Sequence, residues 1–198
     1  MGTVSVNESE GRGAATVNGI VTIPNALTAL RIVLVPALIT FLLDGNFRAA
    51  LTVFLVAGVS DALDGFIARR FNQQSRLGSF LDPLADKLLV VTSSLVLAAI
   101  GRLPWWLALV IVGRDLVIVA GAIAYYGRTG TLEMDPSIAS KANTFVQISL
   151  ILTVLAHGAG MEFLGVVLKP LFVLALAMTL VSGGDYMVVW GRRAFRKN

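Results

Sequence analysis

Six largely apolar segments follow one another along this chain with short polar breaks, each long enough as a helix to reach across the hydrocarbon core of a bilayer, although the second and third are apolar over only about half their length. They run from about Asn25 to Leu43, Arg48 to Phe71, Gly78 to Ile100, Trp105 to Tyr126, Ile138 to Ala156 and Phe163 to Trp190. Only 14% of the 198 residues are charged and 56% are apolar, against roughly 25% charged in soluble domains. At about 20 residues per span, the length holds six spans and leaves no room for a separate soluble domain. The pattern predicts an all-α fold, an integral membrane bundle of six transmembrane helices over residues 20–198. Residues 1–19 are polar, rich in Gly, Ser and Glu, and lack the basic start and apolar core of a signal peptide; they are expected to form a disordered cytoplasmic tail.

The stretches are unequal in ways that carry information. Pro36 interrupts the first and should kink it. The second is apolar to Ser60 and then polar from Asp61 to Arg70, with no Pro to stop the helix. The third mirrors it: Gly78, Ser79, Asp82, Pro83 and Asp86 come first, and the apolar part runs from Leu88 to Ile100. Pro83 is tolerable if it falls near the start of that helix, where N–H groups lack partners. The polar ends of the two stretches therefore meet across the loop that joins them.

The net charge of +4 speaks to topology and lipid headgroups rather than to nucleic acid. With six spans, one side gathers Arg12, Arg69, Arg70, Arg76, Arg128, Lys141, Arg192, Arg193, Arg196 and Lys197, while the other holds little beyond Arg48, Arg102 and Lys169. The positive-inside bias puts both termini, and the polar 61–86 connection, on the cytoplasmic side of a multi-pass protein of the cytoplasmic (inner) membrane. The chain has no Cys, so disulfides and thiolate metal sites are excluded. Trp105, Trp106 and Trp190 fall near span ends, as interfacial tryptophans do.

Four of the twelve acidic residues, Asp61, Asp64, Asp82 and Asp86, lie within 26 consecutive positions. At about 100° per residue, Asp61, Asp64, Gly65 and Ala68 share one helix face, and Gly78, Asp82 and Asp86 step along one i, i+4 row of the next helix. Four carboxylates brought together repel unless cations intervene, and Arg69 offers one positive charge at most. Oxygen donors without His or Cys select a hard divalent ion such as Mg²⁺ or Mn²⁺, and two such ions would clamp phosphoryl oxygens. Gly65 and Gly78 suit a close approach of phosphate or nucleotide to the backbone. A single intramembrane Asp reads more readily as a hydrogen-bond partner or an ion pathway; four at these spacings, with two Gly and an Arg, favour a metal and phosphate site.

The pattern Asp61-x-x-Asp64-Gly65-x-x-Ala68-Arg69, then Gly78-x-x-x-Asp82-x-x-x-Asp86, resembles the signature of the CDP-alcohol phosphotransferase family, with all eight specified positions present. That family consists of six-helix membrane enzymes that transfer a substituted phosphate from a CDP-linked donor to an alcohol. The resemblance implies a binuclear metal centre on Asp61, Asp64, Asp82 and Asp86, with Asp86 also the general base for the acceptor hydroxyl. It implies donor contacts at Gly65, Ala68, Arg69, Gly78 and Ser75. At the first helix, Asn25-Ala26-Leu27-Thr28-Ala29-Leu30-Arg31 is similar to the N-x-x-T-x-x-R start of relatives in which this face borders the active site, which adds Asn25 and Thr28 to the donor side. A helix cap and a snorkelling Arg31 are the alternative, but Arg31 lies about two turns into the span, which favours the functional reading.

Further on, Arg114-Asp115 and Ser140-Lys141-Ala142-Asn143-Thr144-x-x-Gln147 look most like the CMP-forming cardiolipin synthase branch, and less like phosphatidylglycerophosphate synthases. The expected donor is then CDP-diacylglycerol. The expected acceptor is an anionic phospholipid, phosphatidylglycerol, with glycerol 3-phosphate or another polyol phosphate as the alternative. Arg31, Arg114, Ser140, Lys141 and Asn143 are the candidate acceptor contacts, Arg114 and Lys141 being expected to face the bundle and grip a phosphate. Pairing of Arg114 with Asp115 is an equal alternative. The family's habit implies a homodimer. An ion-coupled transporter or an intramembrane prenyltransferase is the competing class, but the first gives no reason for Gly65 and Gly78, and the second uses other Asp spacings.

Overall fold

A computed structural model describes the backbone of residues 23–71, 76–129 and 137–195, and their side chains except at 23–29, 31–32, 61–71, 76–86, 122–129 and 187–195. Six long helices account for nearly all of it: α1 (Ile23–Leu43), α2 (Phe47–Phe71), α3 (Arg76–Ala99), α4 (Trp105–Thr129), α5 (Ile138–Gly158) and α6 (Gly165–Phe195), with a 3₁₀ turn at Glu162–Leu164 leading into α6. No strand occurs among the described residues. The expected tail at 1–19 lies outside them. Pro36 sits inside α1 as expected.

Two described segments are long and apolar enough to cross a membrane by length and composition, Ile138–Gly158 and Glu162–Tyr186; shorter apolar helical stretches occupy Val33–Leu43, Phe47–Ser60 and Lys87–Ala99. The outer faces agree with an apolar surround. Val166, Val173 and Leu180 recur every seventh residue on α6, and Leu109 and Leu116 do so on α4, all of them exposed. Such surfaces are at rest against hydrocarbon and costly against water.

The bundle is closed by a few pairings. α1 packs on α2 and α3, α5 on α2, α3 and α6, and α4 on α3 and α6. Leu38, Leu42, Phe54, Leu97, Leu107 and Leu150 fill the shared core. Two buried hydroxyls of α3 are satisfied within the helix: Ser93 donates to the Leu89 carbonyl at 2.6 Å and Ser94 to that of Val90 at 2.8 Å.

The helices α1, α3 and α5 end in the same way. After α1, Gly45 N–H donates to the Leu42 carbonyl and Asn46 N–H to that of Phe41; after α3, Gly101 donates to Ala98 and Arg102 to Leu97; after α5, Gly160 donates to His157 and Met161 to Ala156. This paired bonding settles the orphan carbonyls of a helix end and needs a left-handed residue, here Gly45 at φ 71° and Gly101 at φ 72°. The three turns meet at one end of the bundle around Phe47. The Arg102 guanidinium lies 4.9 Å from its ring centroid, and Arg48 Nε donates to the Ala159 carbonyl at 3.2 Å.

Gly158 allows this closure. A Cβ built there would stand 2.5 Å from Phe47 Cγ. Since that atom is the root of the ring and not a flexible tip, Gly158→Ala is expected to destabilise the protein by about 1–3 kcal/mol, read as a lower unfolding midpoint in detergent.

Candidate active site

The end of the bundle opposite the glycine turns carries the acidic pattern. The final turns of α2 bear Asp61, Asp64, Gly65, Ala68 and Arg69, and the first turns of α3 bear Gly78, Asp82 and Asp86, so both halves of the pattern are helical. α3 starts at Arg76, earlier than expected, which puts Pro83 two turns inside it and leaves the Ser79 carbonyl without its usual N–H partner. Because α1 and α2 are joined by a short turn and pack along each other, the first turns of α1, with Asn25, Thr28 and Arg31, lie beside the last turns of α2. The side chains of these three residues and of the eight pattern residues lie outside the described ones, as does Ser75 altogether. Among the described residues, no three His, Cys, Asp or Glu side chains form a group fit for a metal ion.

Immediately beneath this end is a cavity of about 380 Å³. Its walls are largely apolar, with Phe54, Leu55 and Val59 from α2, Leu89 from α3, and Ile148 and Leu152 from α5. Lys87, Asp115, Thr144 and Gln147 supply its polar lining.

One wall of the cavity belongs to a polar knot that ties four helices. Arg114 Nη1 donates to Asp115 Oδ1 at 2.6 Å, and Arg114 Nη2 donates to Ser140 Oγ on α5 and Ser182 Oγ on α6. Lys87 Nζ reaches the same Asp115 oxygen at 3.1 Å from α3. The Tyr186 ring centroid lies 5.9 Å from the guanidinium carbon. Arg114 is 8% exposed and Asp115 7%. This is the internal ion pair held open as the alternative for Arg114, and the guanidinium turns its two terminal nitrogens to partners inside the protein.

A second group of bonds lies one turn further along α5. Asn143 Oδ1 accepts from Thr179 Oγ1 at 3.0 Å, and Gln147 Nε2 donates to the same hydroxyl at 3.4 Å. Ser140, Asn143 and Gln147 thus form one buried face of α5, its start capped by Ser137, whose side chain accepts from Ser140 N–H at 3.2 Å. Lys141, the next residue on from Ser140, is exposed. The expectation that it faces the bundle is corrected: adjacent helix positions point about 100° apart, and Ser140 holds the inner one. Asn143 Nδ2 and Arg114 Nε are buried with no hydrogen-bond partner among the described residues.

Three polar participants were not singled out from the sequence. They are Lys87, Thr179 and Ser182; the last two carry only the weak signal of two small hydroxyls at i, i+3 in a largely apolar stretch of α6.

Comparison with known proteins bears on the whole arrangement. Residues 21–182 match the CDP-alcohol phosphatidyltransferase family. A CDP-diacylglycerol–glycerol-3-phosphate 3-phosphatidyltransferase of Aquifex aeolicus is 34% identical, the match covering 88% of this chain and 99% of the relative. The CMP-forming cardiolipin synthases of Rattus norvegicus and Homo sapiens are 40% and 39% identical over 68% of this chain. The matched region spans about half the length of those two mammalian relatives, 50% in each case.

Proposed function

The chain belongs to the CDP-alcohol phosphatidyltransferase family, and on that premise we propose that this phosphatidyltransferase moves a phosphatidyl group from CDP-diacylglycerol to phosphatidylglycerol, forming cardiolipin and CMP. We read it as a six-pass protein of the cytoplasmic membrane with its termini and acidic end on the cytoplasmic side, where a nucleotide-linked donor is accessible. The observation that carries the reading is the placement of all eight pattern residues on two helix ends joined by a four-residue connection, beside the start of α1.

In this reading Asp61, Asp64, Asp82 and Asp86 hold divalent metal, for which an all-carboxylate donor set on two neighbouring helix ends is the right chemistry. Two Mg²⁺ or Mn²⁺ ions held by these carboxylates would supply positive charge to the phosphates undergoing transfer. Gly65, Ala68 and Gly78 let the donor phosphates approach the backbone, and Arg69 gives them a guanidinium. Asn25, Thr28 and Ser75 complete the donor side. As the acceptor oxygen bonds to the phosphorus next to diacylglycerol, its proton passes to Asp86. The bond from that phosphorus to the bridging oxygen breaks, and CMP leaves with the electron pair.

The bonds of Arg114, Ser140 and Asn143 make them internal ties in this account. Arg31 is then the cation assigned to an anionic acceptor. The apolar cavity and the likeness to cardiolipin synthases favour a lipid acceptor, whereas the end-to-end likeness to the Aquifex enzyme favours glycerol 3-phosphate. Purified protein given CDP-diacylglycerol with each acceptor separately decides: cardiolipin from phosphatidylglycerol is expected, and product only from glycerol 3-phosphate would overturn the acceptor.

A further inference from the structure

We infer that Asp115 is a positioning residue that restrains the Lys87 ammonium and keeps it out of the neighbouring carboxylate cluster, so that divalent metal does not have to compete with it. The inference rests on the metal centre proposed above and concerns a residue outside it.

Lys87 follows Asp86 directly on α3, and its side chain is 35% exposed, enough freedom for a flexible four-carbon stem to swing. It lines the same cavity as Ala57 and Gly58 of α2. Asp61 stands four residues beyond Ala57, on the same face and one turn nearer the end of the helix. An untethered ammonium at Lys87 is therefore within a helical turn of both halves of the acidic pattern. Four carboxylates form a strong attractor for any mobile cation.

Among the described residues, the partner of Lys87 is Asp115 Oδ1, at 3.1 Å. That oxygen is itself fixed by Arg114 Nη1 at 2.6 Å, and Arg114 by the hydroxyls of Ser140 and Ser182. The clamp is thus anchored on α4, α5 and α6, none of which carries a residue of the acidic pattern. Asp115 has two positive partners and one charge, so loss of its carboxylate leaves two cations without a counter-ion. Arg114 keeps its hydroxyl bonds and stays buried; Lys87 alone can move to the carboxylates.

The test is Mn²⁺ binding by the purified full chain, with free ion read by electron paramagnetic resonance and folding by thermal unfolding. Asp115→Asn is expected to weaken Mn²⁺ binding about tenfold. Adding Lys87→Gln to it is expected to restore binding to within about twofold of wild type, although it returns no carboxylate. Asp115→Glu, which keeps the charge, is expected to bind as wild type does. Folded Asp115→Asn protein with unchanged Mn²⁺ affinity would overturn the inference, as would failure of Lys87→Gln to rescue. If Asp115→Asn does not fold, a tenfold loss of affinity in folded Asp115→Glu overturns it equally, and wild-type affinity there supports it. Absence of Mn²⁺ binding by the wild-type protein is a different outcome, which sinks the metal centre itself.

Discussion

Asp61→Asn or Asp82→Asn will cut CMP release by about a thousandfold or more while leaving the fold intact. A thousandfold corresponds to roughly 4 kcal/mol of lost transition-state stabilisation, the scale expected when a divalent cation's charge would be lost from a phosphoryl-transfer site. Asn keeps the shape of Asp and one carbonyl oxygen but gives up the charge that holds a hard cation. Both positions lie in regular helix near the polar end of the bundle, where exchange of one polar side chain for another of equal size disturbs little packing. Equal unfolding midpoints beside lost turnover are the expected pair of results. Retained turnover in either variant would show that the acidic pattern does not hold the reacting phosphates.

The second large effect is on stability. Arg114→Ala removes the ion pair with Asp115 and the bonds to Ser140 and Ser182, which join α4 to α5 and α6. It also leaves Asp115, 7% exposed, with the partly exposed Lys87 as its one remaining cationic partner among the described residues. Breaking a buried pair from one side costs about 3–5 kcal/mol, because the remaining charge is stranded. For a chain of this length that lowers the unfolding midpoint by roughly 10 °C. Arg114→Lys keeps the charge without the fork and should fall between the two. A drop of only a degree or two for Arg114→Ala would mean that the knot contributes little.

The eight-residue pattern and all six helices were readable from the sequence, because long apolar runs and fixed spacings survive without tertiary context. Predicted and observed ends agree to within two residues in most cases, helped by glycines after α1 and α3 that mark where those helices stop. The rotation of each helix was harder to read. Ser140, Asn143 and Gln147 form a polar stripe on α5, but spacing alone does not say whether such a stripe turns toward the bundle or away from it, nor that Lys141 points outward. The rotation of α5 follows from Thr179 and Arg114 on other helices. For the same reason the partner of Arg114 could only be posed as a choice. The role of Lys87 is not legible along α3, because its partner Asp115 reaches it from α4.

CMP release from CDP-diacylglycerol by the purified protein, with phosphatidylglycerol, glycerol 3-phosphate or inositol phosphate supplied in turn and with Mg²⁺ or Mn²⁺ present or chelated, tests metal-dependent phosphatidyl transfer. CMP is expected with at least one acceptor, greatest with phosphatidylglycerol, and is expected to disappear on chelation. No CMP with any acceptor in the presence of metal would contradict that activity.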